Sequence, residues 1–138
     1  MTTEEAEQIA NLINTRNELT KKYSSEIILT AKENYVFIKE EDKIIACAES
    51  KKVQWYQHEI SHVSIDKNYE GKGFGSKILK LAENKATENN ARLLQCTIRT
   101  NNISSIRLFS TKGYKQVNTF HNLKSVNWVF IYQKVINQ

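Results

Sequence analysis

Three of the four glycines in this 138-residue chain lie within five residues, at positions 71, 73 and 75. They come just before Ser76–Glu88, a segment with the apolar spacing of a helix. Glycine permits positive φ and lets a ligand approach the backbone closely. A helix that begins after such a turn presents unpaired N–H groups and a positive dipole end. The turn therefore predicts an anion site, most often one for phosphate, at the start of this helix.

Apolar periodicity along the rest of the chain predicts a single mixed α/β domain over residues 1–138. A strand, the glycine turn, a helix and a further strand in succession predict a parallel pair of strands joined by a right-handed crossover. Thr2 and Glu5 fit a capping box at the start of the first helix. The predicted elements are a helix over 3–23, a hairpin of strands 35–39 and 43–49 turned at Glu41-Asp42, a strand over 53–65, a helix over 76–88, a strand over 92–99, a helix over 104–111 stopped at Gly113, and strands 115–120 and 128–134.

The net charge of +5 fits either a solvated lysine surface or a polyanionic cofactor. The lysines are spread along the chain without a recognisable nucleic-acid motif, so we expect no nucleic-acid partner. A membrane span is not expected either, because a span needs about 20 consecutive apolar residues and the apolar runs of this chain are much shorter. The polar, acidic start of the chain does not resemble a signal peptide, which predicts a cytoplasmic protein. Cys47 and Cys96 make no metal pattern, so we expect buried free thiols and no metal.

Several phosphate-binding motifs do not fit the glycine turn. The P-loop pattern G-x-x-x-x-G-K-[ST] is absent. A dinucleotide pattern G-x-G-x-x-G that starts at Gly71 would need its third glycine at Ser76, and one that starts at Gly73 would need it at Ile78. The protein-kinase glycine loop has the same spacing and fails for the same reason.

Residues 65–75 and 102–114 form two blocks whose residue types and spacing resemble those of the GNAT superfamily of N-acetyltransferases. Residues 65–75, Ile-Asp-Lys-Asn-Tyr-Glu-Gly-Lys-Gly-Phe-Gly, look like its acyl-CoA signature, Arg/Gln-x-x-Gly-x-Gly/Ala between a strand and a helix. Residues 102–114, Asn-Ile-Ser-Ser-Ile-Arg-Leu-Phe-Ser-Thr-Lys-Gly-Tyr, look like its Asn-x-x-Ala-x-x-Leu-Tyr-x-x-x-Gly-Phe block. The resemblance implies a central, mostly antiparallel sheet with a parallel strand pair splayed around the cofactor and helices on both faces.

The resemblance also implies an acetyl-CoA site. The strand before the turn would pair through its backbone with the pantetheine amides, and the N–H groups of the turn would hold the pyrophosphate. Asn102 would bond the cofactor further along, and Lys77 could add charge near the phosphates or be simply solvated, as could the lysine within the turn. The implied cofactor-binding residues are Val63, Ser64, Ile65, Gly71, Lys72, Gly73, Phe74, Gly75, Ser76 and Asn102.

The chain departs from the family pattern at two positions. Glu70 stands where the family usually has Arg or Gln, and a carboxylate near phosphates should weaken binding unless it points away or pairs with a lysine. Phe109 stands where a tyrosine often protonates the leaving thiolate, and phenylalanine has no proton to give. We therefore expect cofactor binding to tolerate the first change and catalysis to be slowed by the second.

The reaction implied by the resemblance is direct transfer of an acetyl group to an amine, which must be neutral to attack. Glu59 resembles the catalytic glutamate of the histone-acetyltransferase branch, and strand alternation predicts one face for Glu59, Ser61, Val63 and Ile65. The alternative interpretation is that Glu59 is a solvated glutamate on the strand. In the branch that acetylates ribosomal-protein N-termini the base sits on the next strand, at a position that is Thr97 here. His58 and His62 are second candidates and His121 a weaker one, although each is typical of a structural or solvated histidine too.

Two functions remain open at this point. The first is an N-acetyltransferase that uses acetyl-CoA, with a small-molecule or protein amine as acceptor and a homodimer as a possible state. The second is a weakly active or inactive acyl-CoA-binding module that regulates a partner. We expect the acceptor pocket to be built from the first helix, the loop from Ser24 and the segment 121–127, none of which carries a diagnostic pattern.

Overall fold

Six strands form one mixed sheet in the computed structural model, which describes residues 1–17 and 19–136. Glu18, Asn137 and Gln138 lie outside the described residues. The strand order is β1-β2-β3-β4-β6-β5, and β3 and β4 are the parallel neighbours. The elements are α1 (Thr3–Arg16), α2 (Ser25–Thr30), β1 (Tyr35–Glu40), β2 (Lys43–Gln54), β3 (Gln57–Ile65), α3 (Phe74–Glu88), β4 (Leu93–Arg99), α4 (Ile103–Thr111), β5 (Lys115–Asn122) and β6 (Asn127–Val135).

Helices cover both faces of the sheet, which confirms the predicted fold class. Alternate residues of β2 supply the two cores, because successive side chains of a strand point to opposite faces. Cys47 packs with α1 and α2, whereas Ala46 and Ala48 pack with α3. Cys47 and Cys96 are buried free thiols, as expected. None of the helices in the described ranges is long and apolar enough to cross a membrane.

The predicted helix over 3–23 is wrong beyond Arg16. The capping box of Thr2 and Glu5 is present, but Asn17 is extended and ends α1. The chain then folds back, since the Asn14 side chain accepts from the N–H of Tyr23 at 2.8 Å and donates to its carbonyl at 2.8 Å. Ser24 caps the short helix α2, which periodicity alone did not separate from α1. The end of the predicted helix is therefore part of the connection between α1 and α2.

The predicted strand over 53–65 begins too early. Its first residues belong to β2, and the chain turns at Trp55 and Tyr56 before β3 starts at Gln57. The turn contains none of the residues that normally mark a hairpin, so the sequence offered no signal for it. The turn at Glu41-Asp42 is confirmed, with Glu41 at a φ of 57°.

A bulge in β3 overturns the predicted single face for residues 59–65. Cys47 pairs with Ser64 and Glu49 with Ser61, so two residues of β3 oppose one of β2. His62 lies in this bulge with a φ of 54°. The extra residue reverses the alternation. Glu59 and Ser61 therefore face α1 and α2, while the other members of the predicted set, Val63 and Ile65, pack on the side of α3.

Candidate functional site

The glycine turn takes the conformation that its composition predicts. Gly71 and Gly73 have φ values of 72° and 86°, in the left-handed region that favours glycine. Gly75 has no such φ and lies inside α3, where an added Cβ would meet Leu108 at 3.6 Å. Two of the glycines therefore shape the turn, and the third lies against α4.

The first turn of α3 begins without a side-chain cap. Gly73 occupies the N-cap position, and the first helical bond runs from the N–H of Lys77 to its carbonyl at 3.2 Å. The N–H groups of Phe74, Gly75 and Ser76 precede that bond and have no acceptor within the helix. Such donors, together with the positive end of the helix dipole, are suited to an anion, and the anion site itself stays a prediction.

A groove leads from this turn to the gap between β3 and β4. One cavity of about 440 Å³ lies at the turn, and eight of the ten predicted cofactor residues line it, all except Lys72 and Ser76. A second cavity of about 450 Å³ lies between the strands and shares lining residues with the first. The residues common to both are Arg16, Asn17, Val63, Asn102 and Ser105.

The gap exists because the parallel pair is short. β3 and β4 pair over Gln57–Glu59 and Leu93–Gln95, and no further pairing between them occurs in the described residues. Beyond Glu59, β3 still pairs with β2 on its other side through Ser64 and Ile65. The edge of β3 that faces β4 is thus available to the amides of an extended ligand.

Glu70 pairs with Arg16 rather than with a lysine. The guanidinium of Arg16, in the last turn of α1, forms an ion pair with the carboxylate of Glu70. The two lysines near the turn lie over aromatic rings instead, Lys72 over Tyr69 at 5.4 Å and Lys77 over Phe74 at 4.9 Å. The negative charge that departs from the family pattern is therefore neutralised by a cation from another element, and that cation itself lines the groove.

Asn102 lies at the junction of the groove with α4. Its side-chain oxygen accepts from the N–H of Ser105 at 3.2 Å, which makes it the N-cap of α4. The carboxamide also carries two N–H donors. Gly113, at the other end of this block, has a φ of 91° directly after the C-cap residue Lys112, in agreement with the predicted helix stop.

Glu59 lies behind the wall of the gap. It does not line the cavity, but its neighbour Thr97 does. Burial raises the pKa of the Glu59 carboxyl to about 7, although hydrogen bonds with the side chains of Gln95 and Thr97 lower it. One carboxylate oxygen, Oε2, is buried without a hydrogen-bond partner in residues 1–17 and 19–136. A buried unpaired acceptor of this kind is suited to an ordered water or a proton.

The three histidines occupy different environments. His58 is buried on the side of α3, with Nδ1 at 3.0 Å from the Ser50 hydroxyl, which fits the structural interpretation. His121 lies on β5, its ring 5.2 Å from that of Trp128, and it lines neither cavity of the groove. His62 lines the gap between β3 and β4, and its Nε2 is 2.7 Å from the hydroxyl of Tyr23.

Phe109 lines the same gap and is 3% exposed. Its ring packs edge-on against that of Tyr114, with centroids 4.9 Å apart. The Tyr114 hydroxyl points elsewhere and donates to Glu83 at 2.7 Å. This neighbouring tyrosine therefore holds α3 and does not replace the hydroxyl that Phe109 lacks.

Sequence reasoning missed three side chains that the fold brings to the site. Arg16 lines the groove from α1, Tyr23 bonds to His62 from the α1–α2 connection, and Glu49 on β2 bonds to Ser61 in the lining of the gap. Each is far along the chain from the motifs, so no spacing could reveal it. One local signal was present in the sequence. Ser24 is a residue type that caps a following helix, so the predicted first helix would have to end before it.

Comparison with known proteins gives a match to the model of the acetyltransferase (GNAT) family over residues 4–114. No curated protein sequence matches the chain at a significant level. Among solved structures, Ard1 from Thermoplasma volcanium is similar over 100% of this chain and 95% of its own, with 17% identity and a TM-score of 0.85.

Two further solved structures share the fold. The ribosomal-protein-alanine N-acetyltransferase from Brucella melitensis matches 99% of this chain and 97% of its own, with 17% identity and a TM-score of 0.84. The protein yncA from Salmonella typhimurium, solved with its cofactor acetyl-CoA, matches 100% and 92%, with 16% identity and a TM-score of 0.85.

Proposed function

Because the chain belongs to the GNAT acetyltransferase family, we propose that it moves an acetyl group from acetyl-CoA to a primary amine by direct transfer. The observation that carries the proposal is the groove, which runs from an uncapped helix start to an open strand edge. The helix start suits a pyrophosphate at one end of a ligand. The strand edge suits a chain of amides that leads to a reactive group at the other end. The proposed domain spans the whole chain, residues 1–138.

In this proposal the cofactor lies along the groove. The N–H groups from Gly71 to Ser76 hold its pyrophosphate, and the backbone of Val63, Ser64 and Ile65 pairs with the pantetheine amides. The Asn102 carboxamide donates to the cofactor between these two regions. Arg16 supplies positive charge beside the turn and offsets Glu70, which supports tolerance of that carboxylate.

Glu59 is the proposed general base. A lysine-like amine, with a pKa of about 10.4, is neutral roughly once in 2,500 at pH 7, so a base has a large effect on such an acceptor. A carboxylate with a pKa of about 7 can take up a proton near neutral pH. Because Glu59 lies behind the wall of the gap, it acts through Thr97 or one water bound at its unpaired Oε2.

A second candidate function is an acyl-CoA-binding module with little or no turnover. Phe109 favours it, because a buried phenyl ring in the wall of the gap cannot protonate the leaving thiolate. CoA thiolate is a tolerable leaving group, so the transferase proposal expects slow rather than absent chemistry.

One experiment separates the two candidates. The protein is incubated with acetyl-CoA and a panel of amines comprising amino acids, peptides, polyamines and amino sugars, and free thiol is measured while binding is followed by calorimetry. Thiol release that depends on both the amine and the enzyme supports the transferase. Tight binding of acetyl-CoA without thiol release for any amine supports the binding module, and no binding at all contradicts both.

A further inference from the structure

Tyr23 and His62 form a hydrogen-bonded pair that none of the sequence motifs includes. The Tyr23 hydroxyl lies 2.7 Å from Nε2 of His62, and the two rings meet edge-on with centroids 4.9 Å apart. Tyr23 comes from the α1–α2 connection, whereas His62 sits in the β3 bulge with a φ of 54°. A non-glycine residue at positive φ costs free energy and persists where the surrounding structure requires it, often at a functional site.

The pair stands where two cavities meet. His62 and Leu19 line the gap between β3 and β4 and also a separate cavity of about 350 Å³ under the α1–α2 connection. Tyr23 lines this outer cavity together with Lys21, Lys22 and Ile27. An acceptor that enters through the outer cavity therefore meets Tyr23 and His62 before its amine reaches the gap.

The surroundings of the pair keep both side chains neutral in the resting protein. Burial lowers the pKa of His62, so the ring is neutral at pH 7, while the Glu49 carboxylate acts in the opposite direction and favours the protonated form. Burial and the same carboxylate raise the pKa of Tyr23, which keeps its hydroxyl protonated. Glu49 accepts from the Ser61 hydroxyl at 3.1 Å and is hydrogen-bonded to the Tyr35 side chain. Lys21 and Lys22 are the cations on the outer side.

We infer that Tyr23 and His62 form a relay that takes the first proton from the acceptor's ammonium group as it enters the gap. The inference rests on the proposed function. The ammonium gives a proton to the Tyr23 oxygen as Tyr23 passes its own to Nε2 of His62, so the products are a neutral amine and an imidazolium. Glu49 stabilises that imidazolium.

The remaining steps balance. The nitrogen lone pair forms the C–N bond, and the C–S bond breaks with its electron pair on sulfur. The second proton, which leaves nitrogen as the C–N bond forms, goes to Glu59. Glu59 thus acts as the general base on the amine after the relay has acted on the ammonium. The CoA thiolate takes one proton from water, and His62 and Glu59 each return theirs to water, so one proton is released per ammonium acetylated. Two proton acceptors are needed because an ammonium loses two protons on becoming an amide.

The test compares Tyr23→Phe, His62→Gln and the double variant, with Tyr56→Phe as a control that removes a hydroxyl in the β2–β3 turn. Thiol release is measured with matched primary amines whose ammonium pKa values run from about 6 to about 10. For the most basic amines we expect kcat at pH 7 to fall about 10- to 100-fold in each single variant. The double variant should be no slower than the slower single variant, because the two residues act as a unit.

Acceptor basicity distinguishes a relay from a structural role. For the least basic amines, which are already largely neutral at pH 7, the loss should shrink to less than about threefold. An equal loss for all amines, or an unchanged kcat in Tyr23→Phe, would overturn the relay alone. Failure of the wild-type protein to release thiol with any amine would overturn the proposed function and the relay together. The KM for acetyl-CoA and the melting temperature report whether each variant is folded.

Discussion

At the scale of single residues, burial decides the chemistry of the site. Glu59 keeps a pKa of about 7 because it lies behind the gap between β3 and β4, where desolvation disfavours the carboxylate more than Gln95 and Thr97 stabilise it. Glu70, by contrast, is half exposed and paired with Arg16. The two glutamates are 11 positions apart in sequence, yet one suits proton transfer and the other is only a charge beside the groove.

Replacing Glu59 by Gln should remove the base without changing the shape of its side chain. The wild-type kcat/KM for the amine should rise with pH through about 7, because only the ionised carboxylate accepts a proton and its pKa is raised to that value. In Glu59→Gln we expect the inflection near pH 7 to disappear, leaving only the rise due to deprotonation of the amine itself, and kcat at pH 8 to fall about 100-fold. Steady-state kinetics between pH 5.5 and 9 measure both, with the exposed Glu88→Gln as a matched control. A Glu59→Gln variant with wild-type kcat at every pH would rule out Glu59 as the base.

Replacing Glu70 by Gln should tighten acetyl-CoA binding. The change removes a negative charge near the proposed pyrophosphate position and releases Arg16 to interact with it. The expected gain is about two- to fivefold in Kd at low salt, the size of one exposed charge interaction, and it should fade at high salt. Calorimetry measures the gain. Arg16→Gln should weaken binding instead, and a weaker complex in Glu70→Gln would mean that the carboxylate is needed to hold Arg16 in place.

Replacing Phe109 by Tyr should restore a proton donor to the wall of the gap. We expect turnover to rise more than tenfold with little change in the KM for acetyl-CoA, because a general acid typically contributes 10²–10⁴-fold. Phe37→Tyr, which adds a hydroxyl on β1, serves as the control and should leave kcat unchanged. An unaltered kcat in Phe109→Tyr would show that water or another group already protonates the thiolate.

At the scale of elements, the site depends on two irregularities. The glycine turn starts α3 without a side-chain cap, and the bulge at His62 reverses the faces of β3. A regular strand would have placed Val63 and Ile65 on the same side as Glu59, and a capped helix would have used its N–H groups internally. The short pairing of β3 with β4 then leaves the edge on which a cofactor can lie.

Gly73 and Gly75 should respond differently to alanine. Gly73 has a φ of 86°, and no atom lies within 4 Å of an added Cβ, so the cost comes from the backbone conformation alone. We expect Gly73→Ala to lower the free energy of unfolding by about 1–2 kcal/mol. Gly75 is helical, and its Cβ would make an ordinary contact with Leu108, so Gly75→Ala should be neutral or stabilising by up to about 1 kcal/mol. Urea unfolding measures both, and equal effects would contradict this account of the turn.

At the scale of the whole molecule, the groove joins elements that are distant in sequence. Arg16 of α1, Val63 of β3, Phe74 of α3 and Asn102 before α4 all line it. A ligand bound along the groove would therefore contact α1, β3 and α3 at once. Homodimerisation and the acceptor stay predictions. The outer cavity that we propose for the acceptor is lined by the α1–α2 connection, α2 and His62, whereas the sequence analysis expected the first helix and residues 121–127 to contribute as well.

Acetyl-CoA should raise the thermal stability of the entire chain. A ligand present at about 100 times its Kd adds about 2.7 kcal/mol to the free energy of unfolding, which corresponds to a rise in Tm of roughly 10 °C for a domain of this size. Acetyl-pantetheine, which lacks the pyrophosphate and nucleotide, should give a much smaller rise at the same concentration. Calorimetric melting curves measure both, and equal shifts would mean that the glycine turn contributes little to binding.

The sequence by itself determined the elements whose signals are local. Gly71 and Gly73 set the turn, the spacing of Ser76–Glu88 set α3, and Gly113 ended α4, because each depends on backbone freedom or periodicity within a few residues. Only the tertiary structure decided what surrounds the gap. The end of α1 at Asn17, the β3 bulge, the Arg16–Glu70 pair and the Tyr23–His62 pair all depend on contacts between segments far apart in the chain. Such contacts form only when both cores pack, so no local pattern in the sequence can predict them.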